Sequence, residues 1–231
     1  MSDATPATSE PGLKGEVTTL ELSRLERTVA RRSAESRATV PTMEFTCTVE
    51  VSRLMDRVAE VGCGLAAAVI AAVANALRAV ARVNGAYRDG RYELYSRVNI
   101  GVTIVAEGVY ATPTIFDADE KSAAQLGQEL GAHRQRARAD ELHPSELTGA
   151  TFTVVDSSIH EVATVTPMVL PPQAGSLAFG PVRDVPVVRD GEVVPGRTMQ
   201  LSLAVDHRIV YGHHAAAFLE EIKAFLEEAR I

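Results

Sequence analysis

The amino-acid sequence predicts an α+β fold in which helices flank one large mixed β-sheet. Helical and extended patterns alternate along the first half of the 231 residues, whereas the second half is mostly extended. The chain closes with an amphipathic helix whose apolar stripe needs a sheet to cover it. Neither an internal repeat nor an interior linker interrupts this order, so residues 18–231 are predicted to form a single domain.

The N-terminal part predicts a tail, a helix and a strand. Residues 1–17 are polar and rich in Ser, Thr, Pro and Glu, which is typical of a flexible tail. Apolar side chains spaced by three and four residues begin near Thr18 and predict a helix that ends before Pro41. The alternating, β-branched run Met43–Val51 predicts a strand, and Ser52 can cap the short helix that follows it.

The central part predicts a buried helix followed by short strands. Residues Gly64–Arg82 are apolar on nearly every side, which favours a helix packed inside the domain. The turn residues Asp89-Gly90 predict a small hairpin, and two β-branched runs joined at Gly108 predict a second pair of strands. Helical spacing returns over Lys121–Ala139.

The second half predicts strands and then the closing helix. The run TFTVV has a strand pattern, and the extended segment after the Pro-Pro pair is broken at Pro181. Asp190-Gly191 predicts a hairpin turn that leads into the apolar run RTMQLSLAVDHRIV. The last helix is charged on one face and apolar on the other. Its apolar stripe consists of Phe218, Leu219, Ile222, Phe225 and Leu226.

Composition and charge exclude several classes of function. A formal net charge of −7 argues against non-specific nucleic-acid binding, which needs clustered Lys and Arg on phosphates. Cys47 and Cys63 belong to no CxxC or Cys/His cluster, so we expect reduced thiols, no bound metal and a cytoplasmic location. The N-terminus has no secretory signal pattern, and the longest apolar stretch, Leu65–Val83, contains Asn and Arg. We therefore expect a soluble protein with no membrane span.

One of the six histidines stands in a position that is typical of catalysis. His133 and His143 lie in a charged helical stretch and are expected to be exposed to solvent, and His160 lies in a polar loop. His207 ends a strongly apolar strand before a tight turn, and catalytic groups are often found on such connections. From this local pattern alone, a catalytic base and a histidine that only bonds the backbone of the turn both remain open.

Four blocks of sequence, in order over residues 18–231, carry a resemblance to a known family. The last block, LSLAVDHRIVYGHHAAAFLEEIKAFLE, is similar to the signature LSLSxDHRxxDG and the Ala-rich helix that follows it. The other three are LSRLERTVARRSAESRATVPTMEFTCTVEV, VARVNGAYRDGRYELYSRVNIGVTIVAEGVYATPTIFDADEKS and GATFTVVDSSIHEVATVTPMVLPPQAGSLAFG. Together they resemble the catalytic domain of dihydrolipoamide acyltransferases, the acyl-transferring component of 2-oxo-acid dehydrogenase complexes.

The resemblance implies a fold, an assembly and a reaction. The implied fold is that of chloramphenicol acetyltransferase, a more distant relative, and the implied assembly is a homotrimer whose active site lies at the subunit interface. In the implied reaction, His207 is the general base that takes a proton from a thiol or hydroxyl, which then attacks an acyl thioester. Coenzyme A enters the active-site channel from one end and the acyl acceptor from the other. The resemblance implies no tightly bound cofactor.

The active-site signature departs from the family four residues after the histidine. The family has Asp or Asn four residues after the histidine, where this chain has Tyr211, followed by Gly212. In the family, that residue helps to hold the active-site turn, in part through an arginine of the first helix. The resemblance makes Arg32 the counterpart of that arginine, so Arg32 and Gly212 are predicted to orient the turn.

The hydrogen-bond donor for the reaction's oxyanion also differs. The family places Ser or Thr two residues after its TFT-like strand, and the ungapped match is Val155, whose side chain donates no hydrogen bond. Loss of one such donor costs about 10²–10³-fold in turnover. The neighbouring hydroxyls of Thr153, Ser157 and Ser158 are candidate replacements, and so is the hydroxyl of Tyr211. A degenerate site is the alternative.

The predicted function is transfer of an acyl group, most simply acetyl, from coenzyme A or a carrier-protein thioester to the hydroxyl of a small molecule. The setting suggested by analogy is bacterial natural-product biosynthesis, with a tetronate-type acceptor as one example. Because the sequence is about as long as one catalytic domain, we expect no lipoyl module of its own. One alternative is a trimeric scaffold that has lost the chemistry. The other is a dehydrogenase-complex core that works with lipoyl domains in trans.

Overall fold

The computed structural model describes residues 15–106, 109–163 and 165–231, and within these ranges helices and strands alternate as predicted. The α-helices are α1 (Arg24–Thr39), α2 (Ser52–Val61), α3 (Leu65–Ala79), α4 (Ala123–Arg138) and α5 (Gly212–Glu227). The strands of the first half are β1 (Thr42–Glu50), β2 (Gly85–Arg88), β3 (Arg91–Leu94), β4 (Ile100–Ala106), β5 (Val109–Ala111) and β6 (Thr114–Ile115). Those of the second half are β7 (Phe152–Asp156), β8 (Gly175–Phe179), β9 (Arg183–Arg189) and β10 (Glu192–Asp206).

Eight strands form one mixed sheet, which confirms the predicted α+β class. The order is β1-β10-β8-β7-β4-β5, with β6 paired to β4 and β9 paired to β10, while β2 and β3 form a separate hairpin. The pairs β4–β7 and β7–β8 are parallel, and the other pairs are antiparallel. This order places the long strand β10 between β1 and β8, so the end of β10 lies inside the sheet and not at its edge.

The core lies between the sheet and the helices, and α3 and α5 are packed against each other within it. Helix α3 is buried on nearly every side, as its apolar sequence predicts. The apolar stripe of α5 reaches the sheet, where the Phe218 ring lies 5.5 Å from the Phe152 ring between centroids. Burying each such large apolar side chain stabilises the fold by about 1.5–3 kcal/mol. Among the described residues, no single helix has the length and apolarity of a membrane span; α2 and α3 reach them only as a pair bent by 108°.

Several element boundaries differ from the predicted ones. The first helix begins at Arg24 and not near Thr18, because Ser23 and Glu26 exchange side-chain and backbone hydrogen bonds that start the helix there. Ser52 is the first residue of α2 and not its cap, since its hydroxyl accepts the backbone N–H of Arg197 at 2.9 Å. Of the predicted tail, residues 1–14 lie outside the described ranges, as does Gly108.

The prediction that His133 is exposed is wrong: only 3% of its surface is accessible. His133 falls in the buried stripe of α4, and the charged residues around it hid this spacing in the sequence. The other members of that stripe are Ala123, Leu126, Leu130 and Ala137. The Nδ1 atom lies 3.0 Å from Nη2 of Arg136 and 3.3 Å from Oε1 of Glu146, while Nε2 lies 3.8 Å from Oε1 of Glu129.

The buried position of His133 predicts a pH-dependent stability. Burial is the main cause that lowers the pKa of His133; Glu146 opposes it and Arg136 adds to it. Below about pH 6.5 the unfolded chain binds a proton that the folded chain excludes, so the free energy of unfolding falls as the pH is lowered. We expect His133→Gln to flatten this dependence by up to about 1.4 kcal/mol per pH unit in urea titrations. A His160→Gln control should keep the wild-type slope, and equal slopes in all three proteins would refute the assignment.

Two glycines one turn apart on α4 predict opposite effects of the same substitution. A Cβ atom at Gly127 would lie 2.4 Å from the backbone oxygen of Cys63, whereas one at Gly131 meets nothing within 4 Å. We expect Gly127→Ala to lower the free energy of unfolding by about 1–3 kcal/mol, because the clash must move backbone. Gly131→Ala should raise it by about 0.5–1 kcal/mol, because alanine is the better helix former. Chemical denaturation of both variants measures this, and changes of the same sign would contradict it.

Candidate functional site

The turn between β10 and α5 holds His207 at the end of a central strand. The last residue of β10, Asp206, donates its backbone N–H to the carbonyl of Ala174 at 2.9 Å. The backbone N–H of His207 donates to the carbonyl of Pro41, also at 2.9 Å. The backbone N–H of Val210 donates to the carbonyl of Asp206 at 2.9 Å, and this bond closes the turn. Hydrogen bonds to both neighbouring segments and within the turn therefore fix the backbone on which His207 stands.

The His207 side chain is exposed, and its ring is oriented by the turn. Its Nδ1 atom lies 3.2 Å from the carbonyl oxygen of Val210. Because a carbonyl oxygen only accepts, this bond requires the proton on Nδ1, and the neutral ring then has its lone pair on Nε2. The Tyr211 ring lies edge-on to the imidazole, with 5.8 Å between centroids. The sequence left open whether His207 is a catalytic base or only bonds the backbone of the turn. The bond to the Val210 carbonyl is such a backbone bond, and it leaves the Nε2 lone pair available to accept a proton.

A buried ion pair stiffens the same turn. Asp206 is 1% exposed, and its carboxylate accepts hydrogen bonds from Nε of Arg208 at 2.9 Å and from Nη2 at 2.6 Å. The backbone N–H of Arg208 also donates to this carboxylate, at 3.1 Å. The hydrogen bonds to Asp206 raise the pKa of the Arg208 guanidinium, which also stacks 4.0 Å from the centroid of the Tyr87 ring. The negative charge beside His207 is therefore compensated within the turn.

Tyr211, predicted as a catalytic hydroxyl, is 44% exposed and directly precedes α5. Its backbone N–H donates to Nδ1 of His214 at 3.4 Å, and the two rings are 5.9 Å apart between centroids. Burial lowers the pKa of His214, and the charges of His213 and Arg82 lower it further. A neutral His214 can accept this hydrogen bond at Nδ1, whereas a protonated one could not.

Arg82 contacts the turn and was not recognised from the sequence. It lies in a short 3₁₀ segment after α3, and its Nε donates to the carbonyl oxygen of Ile209 at 2.7 Å. Its guanidinium carbon lies 5.3 Å from the centroid of the Tyr211 ring. The signal that could have found it is an arginine at the end of an otherwise apolar helix, because such a charge needs a partner.

Thr153 and Arg32 belong to a second group of residues. Both line a cleft of about 380 Å³ together with Gln173. The Thr153 hydroxyl donates to Oε1 of Gln173 at 2.7 Å, so its proton is already used inside the chain. The arginine that lies against Tyr211 is Arg82 and not Arg32. The orienting role of Arg32 toward position 211 is therefore not realised within the described chain.

Ser157 and Ser158 are also bonded within the chain. The Ser157 hydroxyl donates to the carbonyl oxygen of Phe179 at 2.7 Å, and the residue is 3% exposed. The Ser158 hydroxyl bonds Oδ1 of Asp156 at 2.5 Å. Val155 is half-buried on β7. The predicted catalytic roles of Thr153 and Ser157 as oxyanion donors would each require an existing hydrogen bond to break.

Gly212, predicted to orient the turn, is the first residue of α5. A Cβ atom at this position would meet only Sδ of Met43, at an ordinary distance of 3.9 Å. Space within the single chain therefore does not require glycine, and its orienting role stays a prediction.

The predicted site residues thus form two groups within one chain. One group is His207 with Tyr211, next to Arg82, and the other is Thr153 with Arg32. Over residues 15–106, 109–163 and 165–231, no hydrogen bond joins the two groups, and no set of three His, Cys, Asp or Glu side chains is arranged to hold a metal ion. Within the described part of one chain, the Thr153 hydroxyl is therefore not joined to the group that holds His207.

Comparison with known protein families gives one match over almost the whole chain. The family described as 2-oxoacid dehydrogenases acyltransferase (catalytic domain) matches residues 14–230. The dihydrolipoyllysine-residue acetyltransferase component of the Zymomonas mobilis pyruvate dehydrogenase complex is 29% identical over 99% of this chain and 55% of its own length. The mitochondrial counterpart from Caenorhabditis elegans is 31% identical over 97% of this chain and 47% of its own length. The chain therefore spans about half the length of these relatives.

Solved structures share the fold. A probable dihydrolipoamide acetyltransferase from Listeria monocytogenes superposes with a TM-score of 0.86 at 25% identity, over 91% of this chain and 94% of the other. The Azotobacter vinelandii dihydrolipoamide acetyltransferase, studied for the roles of a serine, a histidine and an asparagine in its mechanism, gives 0.90 at 24% identity, over 100% and 98%. Chloramphenicol acetyltransferase gives 0.54 at 16% identity, over 85% and 94%, which confirms the predicted distant likeness in fold.

Proposed function

Because the chain belongs to the 2-oxoacid dehydrogenases acyltransferase (catalytic domain) family, we propose that it transfers an acyl group between coenzyme A and the thiol of a dihydrolipoyl group, with His207 as the general base. The observation that carries this proposal is the hydrogen bond from Nδ1 of His207 to the Val210 carbonyl, which leaves a lone pair on the exposed imidazole at Nε2. Without such a base at a strand end, the family relationship alone would support only the fold.

The proposed reaction follows from the tautomer of the His207 imidazole, in which Nδ1 carries the proton and Nε2 has the lone pair. Nε2 of His207 takes the proton of the dihydrolipoyl thiol, and the sulfur attacks the carbonyl carbon of the acyl thioester. The tetrahedral oxyanion then collapses, the bond to the sulfur of coenzyme A breaks, and the imidazolium returns its proton to the departing thiolate. The bond between Nδ1 and Val210 is kept throughout, so the ring need not turn over between the two proton transfers.

The proposed assembly is a homotrimer in which neighbouring subunits complete one site. Over the described residues, His207 does not line the Thr153 cleft and no hydrogen bond joins the two groups, which supports this, since a second copy could bring its cleft to the first copy's histidine. A structure that shares this fold is that of the cubic core of a pyruvate dehydrogenase multienzyme complex. Analytical ultracentrifugation should give a mass of three times 24.7 kDa or a multiple of it, and a monomer would contradict the shared site.

The proposed acceptor is a lipoyl group presented by another domain or another polypeptide. Support comes from the relatives, which are dihydrolipoyllysine-residue acetyltransferase or succinyltransferase components. Acetyl-CoA is the simplest donor to test, and succinyl-CoA is the second. No bound cofactor is needed, because coenzyme A enters and leaves as a substrate.

A second candidate function is transfer of the acyl group to the hydroxyl of a small molecule, in a natural-product pathway and from coenzyme A or an acyl carrier protein. The observations that favour it are the valine at position 155 and the tyrosine at position 211, both of which depart from the residues that the resemblance predicts there. A tetronate-type alcohol is one acceptor of this class. The same two residues also support a third reading, a trimeric scaffold without activity.

One experiment separates the three. The purified protein is incubated with acetyl-CoA or succinyl-CoA and with dihydrolipoamide, a lipoyl domain or a panel of hydroxymethyl compounds, and acylated products are identified by mass spectrometry. S-acylated dihydrolipoamide supports the proposed function. An O-acylated alcohol without any S-acyl product would replace it with the second candidate. Binding of coenzyme A without product, or no binding at all, would leave the scaffold.

Restoring a hydroxyl at position 155 should raise the rate. If the oxyanion lacks a donor there, Val155→Ser is expected to increase kcat by about tenfold or more, given that one such donor is worth about 10²–10³-fold. Thr153→Val is the comparison on the same strand: its hydroxyl is bonded to Gln173, so a loss of stability larger than the loss of kcat is expected, and the reverse would make Thr153 the oxyanion donor. An unchanged or lower kcat in Val155→Ser would mean that another group already binds the oxyanion.

A further inference from the structure

The Arg82 side chain contacts the turn that carries His207, and Tyr92 of β3 contacts both the guanidinium and the backbone carbonyl of Arg82. Its guanidinium lies over two tyrosine rings, with Cζ 4.7 Å from the Tyr92 centroid and 5.3 Å from the Tyr211 centroid. Its Nε donates to the carbonyl oxygen of Ile209 at 2.7 Å. Its own carbonyl oxygen accepts the hydroxyl of Tyr92 at 2.5 Å. An arginine stacked on aromatic rings keeps a flat, fixed fork, so its donor direction is well defined.

We propose that Arg82 is a positioning residue for the general base His207, acting through the backbone of the turn. The proposal rests on the proposed function of His207. The carbonyl of Ile209, which Arg82 binds, is followed along the chain by the carbonyl of Val210, which binds Nδ1 of His207. Fixing the first carbonyl restricts the peptide plane that leads to the second, and the second decides which imidazole nitrogen carries the proton.

The ring of Tyr211 provides a second contact between Arg82 and the turn. Arg82 lies over this ring, and the ring in turn stands edge-on to the His207 imidazole at 5.8 Å between centroids. The backbone N–H of Tyr211 donates to His214, whose pKa is lowered by burial and by the charges of His213 and Arg82. The guanidinium thus touches the turn at Ile209 and at Tyr211, on either side of Val210, the residue that orients His207.

Arg78 provides a matched comparison because it lies four residues earlier and makes similar bonds. Its Nε donates to Oδ2 of Asp119 at 2.6 Å, and its Nη1 donates to the carbonyl of Ser96 at 2.9 Å. Both arginines therefore tie α3 or the segment after it to distant backbone. Of the two, Arg82 is the one bonded to the His207 turn, so a purely structural role predicts similar effects of losing either, and a positioning role does not.

The test compares Arg82→Met, Arg82→Lys and Arg78→Met with the wild type. The first readout is the tautomer of the His207 ring, measured by nitrogen-15 NMR on histidine-labelled protein without substrate. The second is kcat, KM and the low-pH limb of kcat/KM for acyl transfer to dihydrolipoamide. For Arg82→Met we expect a mixture of tautomers and a kcat lowered about ten- to a hundredfold with KM nearly unchanged, because the base is misplaced rather than lost.

Arg82→Lys and Arg78→Met distinguish a positioning role of Arg82 from a purely structural one. For Arg82→Lys we expect a tautomer ratio between those of the wild type and Arg82→Met. An ammonium can reach the Ile209 carbonyl, but it cannot stack flat on the rings of Tyr92 and Tyr211. If Arg82→Met does not fold, Arg82→Lys still tests the proposal. Arg78→Met should keep the wild-type tautomer and kcat. A wild-type His207 tautomer and pH profile in both Arg82 variants would overturn the proposal. Because the NMR readout needs no substrate, it decides the proposal even if the wild type transfers no acyl group.

Discussion

Replacing His207 with alanine is expected to lower kcat/KM for acyl transfer to dihydrolipoamide by about 10²–10⁴-fold, the contribution typical of a general base. The physical reason is that no other described side chain stands at the end of β10 with an imidazole lone pair turned away from the backbone. The loss should appear mainly in kcat, because the base acts on the thiol proton in the transition state and not on substrate binding. Stopped-flow or mass-spectrometric rates at saturating acyl-CoA measure it.

His213→Ala is the control for this prediction. His213 is an exposed histidine six residues later, at the start of α5, and its ring contacts His214 and not His207. Its loss should leave kcat within about threefold of the wild type, because it does not touch the base. A His207→Ala protein that keeps its melting temperature and more than a tenth of the wild-type rate would show that another group takes the proton.

Replacing Arg208 with methionine is expected to lower the free energy of unfolding by about 3–5 kcal/mol, because it leaves the buried carboxylate of Asp206 without its cation. Methionine keeps an apolar contact for the Tyr87 ring, so the change removes the ion pair and the guanidinium stacking but little of the packing. Because Asp206 begins the turn that holds His207, kcat should fall as well. Urea unfolding monitored by circular dichroism measures the stability.

Two further variants isolate the buried charge. Arg57→Met breaks an ion pair with Glu60 in which both side chains are about half exposed or more, and it should cost less than about 1 kcal/mol. Adding Asp206→Asn to Arg208→Met removes the unpaired charge and should recover part of the lost stability, so the two substitutions should not be additive. Equal costs for Arg208→Met and Arg57→Met would mean that water compensates Asp206 in the folded state.

Elements with strong local signals were predictable from sequence. The strand predicted over Met43–Val51 is observed over Thr42–Glu50, and the helix predicted over Lys121–Ala139 is observed over Ala123–Arg138. The Asp89-Gly90 turn was recognisable because both residues adopt positive φ, 48° and 76°, which Asp and Gly tolerate in a two-residue hairpin loop. The strand, the helix and the turn each depend on residues that are close together in the sequence, so local patterns were enough to predict them.

The candidate site was predictable only in part. The apolar strand, charged pair and tight turn around His207 left its role open, and the resemblance of LSLAVDHRIVYG to the family signature made it the predicted base. Arg82 was missed because it lies 127 positions from the carbonyl it binds, so its place after an apolar helix indicates that it needs a partner but not which one. The hydroxyls of Thr153 and Ser157 were candidate donors in the sequence, and only their partners Gln173 and Phe179 reveal that their protons are already used.

By itself, the sequence determined the α+β class, the family resemblance, the buried helix α3 and the position of His207 at the end of an apolar strand, because periodicity, turn residues and a contiguous motif are local properties. The tertiary structure decided the strand order, the burial of His133 and the arginine that contacts Tyr211. It also decided that the base and the Thr153 cleft form separate groups within one chain. The physical reason is that strand pairing, burial and charge compensation depend on which distant segments meet, and chain packing alone sets those contacts.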